Sequence, residues 1–545
     1  MTSHFNLISE PWIVVRKPDN SVREVSIRDA FHHAQDYSGL GGEIPTQMAA
    51  IQRCLQAIAM RATAARRSED EAILQWGQWW EEQSLPLEQI DAYLDRYADR
   101  FDLLDPEKPF MQVADLHTST NKTSGLVKLI SEVPSGAKFF TTRDGKGIQS
   151  LSLAEAARWL VHVHAFDVSG IKSGAVGDPR VGNGKGYPIG TGITGNMGLV
   201  IVEGSSLLQT LLLNLVVPTD PREDTSIWER EPQNAKEDVR HPVPTGPADL
   251  FTWQSRRVRL IEHDGHIVDV LLCNGDKTQW SSLLRKETQT AWRYSTPQSK
   301  KAGKDIYMPR THQPGRAIWR GLEPLLMKAT DESSIRPDVL EWLAKARQSE
   351  LLSPTQMIRI RTIGIEYGSN SSIIAATVDD SLPTSIALLG EDALARLAIE
   401  AAQTAQDAAI CLANLASDLA SAAGTEPDAD RAHAWDAAFS AIDPVFRDWF
   451  AHLSADTQTH EAKTAWHRAV RDTINREGLQ LCRDAGASAL TGRVVPIPNT
   501  DRTTLMDTAE AWRRFTRHLM KTTPIADGDQ KPGSVPASSD IVTTK

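Results

Sequence analysis

The strongest constraint on the fold is a helical apolar repeat in the last third of the chain. Its residues recur at spacings of 3, 4, 4, 3, 4, 3 and 4, the period of one helix face. They are Leu394, Leu397, Ala401, Ala405, Ala408, Leu412, Leu415 and Leu419. Gly424 follows as a C-cap, and apolar series beginning at Trp435, Trp466 and Leu505 predict three more helices. Pro444 is expected to kink the second helix.

The sequence before these helices predicts a mixed domain. A strand pair surrounds a turn at 17–21, Ser26 caps a first helix, and a second helix begins after Pro45. Residues 251–374 are strand-like, with a hairpin tip at 367–372. We predict an α+β protein with three parts. These are a large mixed N-terminal domain with irregular loops over 1–380, a four-helix bundle over 381–523 and a disordered tail over 524–545.

Composition limits the class of protein. The 545 residues are 41% apolar and 24% charged, which is ordinary for a globular chain of two or three domains. The four cysteines are far apart, which indicates neither disulfides nor a zinc knuckle. Without a secretory signal or a run of 18 apolar residues, we expect a cytoplasmic protein that does not enter membranes. A net charge of −11 disfavours non-specific nucleic-acid binding but allows a local basic path.

Function is expected in a glycine-rich stretch, residues 167–204. Such a density of glycine indicates backbone at positive φ or pressed close to a ligand. Residues 190–195 match G-x-G-x-x-G, but the strand and helix that a dinucleotide site requires are not indicated around them. What remains is a long loop whose N–H groups and two lysines, Lys172 and Lys185, suit a phosphate backbone. A surface loop without a ligand is the alternative, which the length of the loop disfavours.

No catalytic motif emerges from the sequence. On a strand His162 and His164 would face the same way and could supply two metal ligands, but no suitable third ligand lies nearby, so we interpret them as ordinary histidines. The patterns G-x-S-x-G and H-E-x-x-H are absent, as are carboxylate pairs at a diagnostic spacing. We therefore predict a recognition protein and no enzyme, with no metal and no cofactor.

Basic residues cluster in three regions. One cluster is Arg256, Arg257 and Arg259, and another surrounds 300–310; each taken alone is typical of a solvated face. In the predicted bundle, residues 391–455 carry a net charge of −8 and residues 456–521 a net charge of +3. The second half is therefore the candidate for contact with DNA, through Arg468, Arg471, Arg513, Arg514 and Arg517.

Several short sequence segments, none of them decisive alone, form a specific pattern through their order and spacing. They are FNLISEPWIVV at the start, EKPFMQV near residue 110, FFTTRDG, GIKSGAVGDPR leading into the glycine stretch, LLLNLV at 211–216, and the terminal helices. Together they resemble the large subunit of the type I-E CRISPR surveillance complex, the CasA family of Cascade, over nearly the whole chain.

The resemblance implies a non-catalytic subunit at the foot of an RNA-guided complex. Such a subunit recognises the protospacer-adjacent motif (PAM) in double-stranded DNA, chiefly from the minor groove. It also helps to open the duplex for R-loop formation and recruits the helicase-nuclease. The implied partners are the other Cascade subunits, crRNA, PAM-containing DNA and the helicase-nuclease.

Four elements of the family are carried over residue by residue. They are an aromatic loop that anchors the subunit to the complex and to the crRNA 5′ end, a PAM-sensing glycine loop, a minor-groove lysine and a hairpin that wedges beneath the PAM. The matching residues are Phe140, Thr141 and Thr142; Ser169, Gly170, Ile171, Lys172 and Ser173; Lys300 or Lys301; and Ser369, Asn370 and Ser371. Some relatives carry a cysteine-rich zinc site before the lysine. This chain has only Cys273 there, so no zinc is expected.

Two alternatives from other classes remain open at this point. One is a cytosolic enzyme that uses the glycine loop to bind a phosphorylated substrate. The other is a scaffold that contacts only other proteins. Neighbouring genes for other Cascade subunits and a repeat array would distinguish these alternatives from the CasA resemblance.

Overall fold

The structure is a computed structural model that describes residues 4–131, 133, 148–277, 279–327, 333–390, 392–496 and 503–525. Contacts divide the chain into two compact units, residues 1–395 and 396–545. The division falls inside a long helix, later in the chain than the expected boundary at 380, which lies within a strand. The first unit mixes helices with strands, and the second is mainly helical, in agreement with the predicted α+β class.

The elements of the two units are as follows. The helices of the first unit are α1 (Ile27–His32), α2 (Pro45–Thr63), α3 (Glu69–Glu81), α4 (Leu87–Arg96), α5 (Leu153–Phe166), α6 (Leu207–Leu213), α7 (Pro247–Phe251), α8 (Thr296–Ala302), α9 (Glu323–Leu326), α10 (Asp338–Gln348) and α11 (Ala387–Gly390). Its strands are β1 (Ile13–Arg16), β2 (Val22–Val25), β3 (Gly39–Leu40), β4 (Leu151–Ser152), β5 (Lys172–Ser173), β6 (Val181–Gly182), β7 (Lys185–Gly186), β8 (Leu199–Glu203), β9 (Arg256–His263), β10 (His266–Asn274), β11 (Trp292–Tyr294), β12 (Tyr307–Pro309), β13 (Ser334–Ile335), β14 (Met357–Tyr367) and β15 (Ile374–Ser385). The rest of the chain forms α12 (Asp392–Ala423), which crosses the division, then α13 (Pro427–Ala451), α14 (Thr459–Asp484), α15 (Gly486–Thr491), β16 (Arg493–Pro496), β17 (Thr503–Met506) and α16 (Thr508–Thr522).

The predicted opening of the chain is confirmed. Strands β1 and β2 pair antiparallel around the turn, and β3 completes a sheet of order β2-β1-β3. Asn20 holds the turn at φ 65°, a left-handed conformation that asparagine tolerates. Ser26 caps α1, because its Oγ accepts the N–H of Asp29 at 3.0 Å while the Asp29 side chain reaches back to the cap.

Helix α2 is the central helix of the first unit. Sixteen of its nineteen residues are buried, and it packs against α4, α5 and α7. A charged side chain on so buried a helix is costly unless it is paired. Arg53 therefore donates to Glu287 at 2.7 Å and lies over the ring of Phe251, 3.9 Å from its centroid. The tryptophans predicted to be core, Trp76, Trp79 and Trp80, are buried on α3.

A long hairpin organises the strands nearest the glycine stretch. The β14–β15 pair extends from Met357 opposite Ser385 to Tyr367 opposite Ile374, and its tip lies between them as predicted. Strand β8, the apolar run that follows the glycines, pairs with β14 to give the order β15-β14-β8. Other sheets have the orders β12-β11-β13 and β4-β10-β5-β7-β6, with β9 paired to β10. The glycine stretch thus contributes β5, β6 and β7 to one of these sheets and β8 to another.

The second unit contains four long helices, α12, α13, α14 and α16. Trp466 packs against Phe446 and Trp449, and its Nε1–H donates to the carbonyl of Ala401 at 3.0 Å. Their arrangement as a four-helix bundle stays a prediction. The β16–β17 hairpin was not predicted, and it corrects the fourth helix, because Leu505 lies on β17. Across the described residues, every helix is too short or too polar to cross a lipid bilayer.

Candidate nucleic-acid interface

The glycine loop runs from the end of α5 to the short strand β5. Strand β5 pairs parallel with β10 at Cys273 and antiparallel with β7. Gly170 has φ +138°, which side chains rarely adopt, and a Cβ on Gly174 would lie 2.6 Å from the Gly184 carbonyl. Glycine is therefore required at 170 by the backbone conformation of the loop and at 174 by the close packing of the backbone just after β5.

One backbone hydrogen bond joins this loop to the hairpin tip. The N–H of Ser169 donates to the carbonyl of Ser371 at 2.8 Å. The hydroxyl of Tyr367, at the end of the hairpin stem, donates to the carbonyl of Phe166 at 2.7 Å across 201 positions of sequence. Two elements predicted separately from sequence are thus adjacent in the fold.

A cavity of about 450 Å³ lies where the two elements meet. Its walls comprise the loop residues 167–173, the hairpin residues 372–374 and polar and apolar residues of the segment 123–133. Ser124 and Ser173 face each other with their Oγ atoms 3.0 Å apart. The segment 123–133 was not singled out from sequence, since it carries no motif.

The hairpin tip has an unusual backbone. Asn370 and Ser371 both have φ 53°, in the left-handed region, and such paired positive φ values match the twist of a tight β-hairpin. Internal bonds hold the tip, including Gly368 N–H to the Ile373 carbonyl at 2.9 Å. The side chains of Ser369 and Asn370 are exposed. The tip is a preformed polar projection.

Lys172 does not point outward as a loop lysine would to follow a phosphate backbone. Its side chain is only 9% exposed, and its Nζ lies 2.6 Å from Oδ2 of Asp167. Burial lowers the pKa of Lys172 against the opposing effect of the carboxylate. Burial alone would raise the pKa of Asp167, but Lys172 and Arg256 outweigh it and hold that pKa below its usual value. In this conformation the buried ion pair of Lys172 with Asp167 stabilises the loop. Lys185, the other lysine of the stretch, is exposed.

The cluster at 256–259 is not a solvated face, which corrects the interpretation of it as exposed charge. Arg256 is buried; its Nε bonds to Asp167, and its Nη2 donates to the carbonyls of Val168 and Gly190 at 3.0 and 2.8 Å. Arg257 is buried against Asp276 at 2.7 Å. Arg256 therefore ties the start of the glycine stretch and its middle, at Gly190, to β9. No sequence signal pairs it with Asp167, because the partners lie far apart in the chain.

The two candidate minor-groove lysines lie on α8, the connection between β11 and β12. Lys300 and Lys301 are exposed in its last turn, and Gly303 ends the helix at φ +65°. Neither lysine lines the cavity between the glycine loop and the hairpin. The aromatic-loop residues Phe140, Thr141 and Thr142 lie outside the described residues, as do 526–545 of the predicted tail.

The five arginines of the second unit differ in their surroundings. Arg471 bonds to both the Oγ1 and the carbonyl oxygen of Thr523. Arg514 donates to Glu510 at 2.9 Å, and Arg513 bonds to the same carboxylate. Exposure distinguishes them: Arg471 and Arg514 are half-buried, whereas Arg468, Arg513 and Arg517 are exposed and are the better candidates for DNA contact.

Charge reversal at these three positions tests the arginine hypothesis. Each lost phosphate contact lowers the slope of log K against log salt by roughly 0.7 to 0.9, so R468E/R513E/R517E is expected to lower the slope by roughly 2 to 3 for the assembled complex with target DNA. Titrations at several salt concentrations measure it, and circular dichroism checks folding. An unchanged slope would mean that these arginines form only a solvated face.

His162 and His164 lie on α5, which corrects the assumption that they alternate on a strand. Residues two apart on a helix are about 200° apart, so the two rings cannot share a ligand. His162 Nε2 lies 3.0 Å from Oγ1 of Thr46, and His164 Nε2–H donates to the carbonyl of Met111 at 3.0 Å. Within the described residues, no group of three His, Cys, Asp or Glu side chains is placed to hold a metal ion.

These two histidines make stability depend on pH. Burial lowers the pKa of each to about 3, from about 6.5 in the unfolded chain. The unfolded state therefore binds more protons between these values, and stability falls with falling pH, by about 2 kcal/mol per histidine at pH 5. Denaturant unfolding at pH 7 and pH 5 should show a smaller loss for H162Q/H164Q than for the wild type. Equal losses would contradict this assignment.

Comparison with known proteins gives concordant matches. A family model described as CRISPR-associated protein Cse1 matches residues 6–476. The crystal structure of Thermobifida fusca Cse1 is 40% identical, with a TM-score of 0.87, and the match covers 96% of this chain and 98% of that one. Cse1 from Acidimicrobium ferrooxidans is 27% identical, with a TM-score of 0.80 and coverages of 96% and 98%. CasA/Cse1 of Thermus thermophilus is 35% identical over 267 residues, 48% of this chain and about half the length of that relative.

The fold and these matches define a CRISPR-associated protein. The chain belongs to the Cse1 family, also called CasA, the family of the large subunit of type I-E Cascade. The resemblance inferred from the sequence phrases is thereby confirmed.

Proposed function

We propose that this protein recognises the PAM in double-stranded DNA within an RNA-guided complex, without catalysing a reaction itself. In that complex it binds crRNA and the other Cascade subunits, promotes duplex opening and recruits the helicase-nuclease once DNA is bound. The observation that carries the proposal is the hydrogen bond from Ser169 to Ser371, which makes the glycine loop and the hairpin tip one surface.

The chemistry of that surface suits the minor groove. A·T pairs present only acceptors there and G·C adds one donor, so backbone N–H groups of the loop, together with Lys300 or Lys301 of α8, can read it only degenerately. Close approach of the backbone to a groove needs a residue without a side chain, and Gly170, with open space beside its Cα, supplies one. Unstacking a base step costs a few kcal/mol, part of which an inserted polar tip such as Asn370 offsets. Guide pairing then reads the remaining sequence.

The test is DNA binding by the complex reconstituted with guide RNA and the partner subunits. Duplexes with and without a PAM, but with the same protospacer, are compared, with a complex lacking this chain as control. We expect the PAM duplex to bind about 10- to 100-fold more tightly, the usual worth of base-edge contacts, and only when this chain is present. Equal affinity for both duplexes would overturn the proposal and favour the scaffold alternative.

A further inference from the structure

A second cavity, of about 400 Å³, lies beside the β12-β11-β13 sheet and is distinct from the one at the glycine loop. Three of its lining residues are arginines, namely Arg293, Arg310 and Arg316, with Thr311 and Gln313 beside them. Among the described lining residues there is no aspartate or glutamate. The cavity therefore presents hydrogen-bond donors and positive charge.

Arg310 shows that this charge is not neutralised locally. Its Nε is buried and has no hydrogen-bond partner among the described residues. Burial lowers the pKa of the guanidinium; Glu323 opposes that effect, and the neighbouring charges of Arg293 and Arg316 add to it. An arginine stays protonated in such surroundings, so the three cations repel one another until an anion joins them.

The other groups around the cavity leave it positive. Among the described residues, Glu323, exposed at the start of α9, is the carboxylate whose charge opposes the effect of burial on Arg310. Asp380 is engaged by the N–H of Ile318 at 2.8 Å. His312 is mostly buried, its Nε2–H donates to the carbonyl of Leu199 at 2.9 Å, and burial lowers its pKa, so the ring is neutral at pH 7.

Arg316 keeps donors available for a ligand. One of its terminal nitrogens donates to the carbonyl of Arg320 at 2.6 Å, and the other makes only a long contact of 3.4 Å to Gln313. A guanidinium has five N–H donors in a planar fork that matches two oxygens of a phosphate. Three such forks around one cavity fit a tetrahedral oxyanion.

We propose that this cavity binds one phosphodiester group of the target DNA, a contact that rests on the proposed function. Arg293 lies on β11 and Arg310 directly follows β12, and these paired strands flank the connection that carries Lys300 and Lys301. A duplex whose groove contacts those lysines has its sugar-phosphate backbone close to β11 and β12. Target DNA is therefore favoured over guide RNA as the source of the phosphate.

The decisive experiment pairs R293Q/R316Q with DNA in which single phosphodiesters are replaced by neutral methylphosphonates. Both arginines are exposed, and Arg310 is left unchanged to preserve the fold. In the assembled complex we expect about tenfold weaker DNA binding and a salt slope lower by about 0.9, as for one lost phosphate contact. At one linkage, methylphosphonate should weaken binding by the wild type but not by the variant.

The control is R16Q/R66Q, which removes two exposed arginines elsewhere and should leave both quantities unchanged. If the wild-type complex binds PAM DNA but R293Q/R316Q retains full affinity and slope, this inference is wrong while the proposed function stands. If the variant assembles poorly with guide RNA but each assembled complex binds DNA normally, the phosphate in the cavity belongs to RNA. That result would also overturn this inference. If no wild-type complex prefers PAM DNA, the proposed function itself fails.

Discussion

The K300A/K301A variant should bind a PAM duplex more weakly than the wild type by about 1–3 kcal/mol, the usual worth of a base-edge contact. An ammonium group that reaches minor-groove acceptors gains its partners before any base pair breaks. The loss should therefore appear in the first encounter with closed DNA. Both lysines are exposed in the last turn of α8, where alanine preserves the helix.

Lys304 provides the matched control for this result. It is also exposed and follows the same helix, so K304A removes a positive charge from the same segment. Equilibrium titration with PAM and non-PAM duplexes separates base-edge contact from general attraction. If K304A weakens PAM binding as much as K300A/K301A does, the effect is electrostatic and the lysine assignment is wrong.

The N370G/S371G variant should bind the closed duplex almost normally but form R-loops about tenfold or more slowly. The two side chains gain partners only when the first base pair unstacks, a step that costs a few kcal/mol. Both residues have φ 53°, which glycine adopts freely, so the variant removes side chains while keeping the tip conformation. Stopped-flow fluorescence from a base analogue beside the PAM measures opening.

Two controls make this prediction specific. N20G changes another positive-φ asparagine in a β-turn and should have no effect on opening. DNA with a bubble already melted beside the PAM should rescue N370G/S371G but not K300A/K301A. Rescue of both variants, or of neither, would show that recognition and opening are not divided between these two elements.

Local elements could be predicted because their signals lie within a few residues. Ser26 and Asp29 form a capping box three positions apart, and Gly424 ends α12 as the apolar repeat stops. The strand-like sequence before residue 367 forms β14, and the predicted hairpin tip follows it directly. A short segment that fits both the two-residue repeat of a strand and the 3.6-residue repeat of a helix is ambiguous. The spacing of His162 and His164 suits a strand, yet both are buried on a helix.

Patterns in the sequence were enough to predict the α+β class, the helical last third of the chain, the glycine loop, the hairpin tip and the family. The packing of distant segments had to be seen in the structure: Ser169 bonds to Ser371, Arg256 and Lys172 turn inward to Asp167, and three arginines share a cavity. The difference lies in how far apart in the sequence the interacting groups are. Helix caps and turns are satisfied by neighbours in the chain, whereas the partner of a buried charge depends on which distant segments pack together, and no local pattern records that choice.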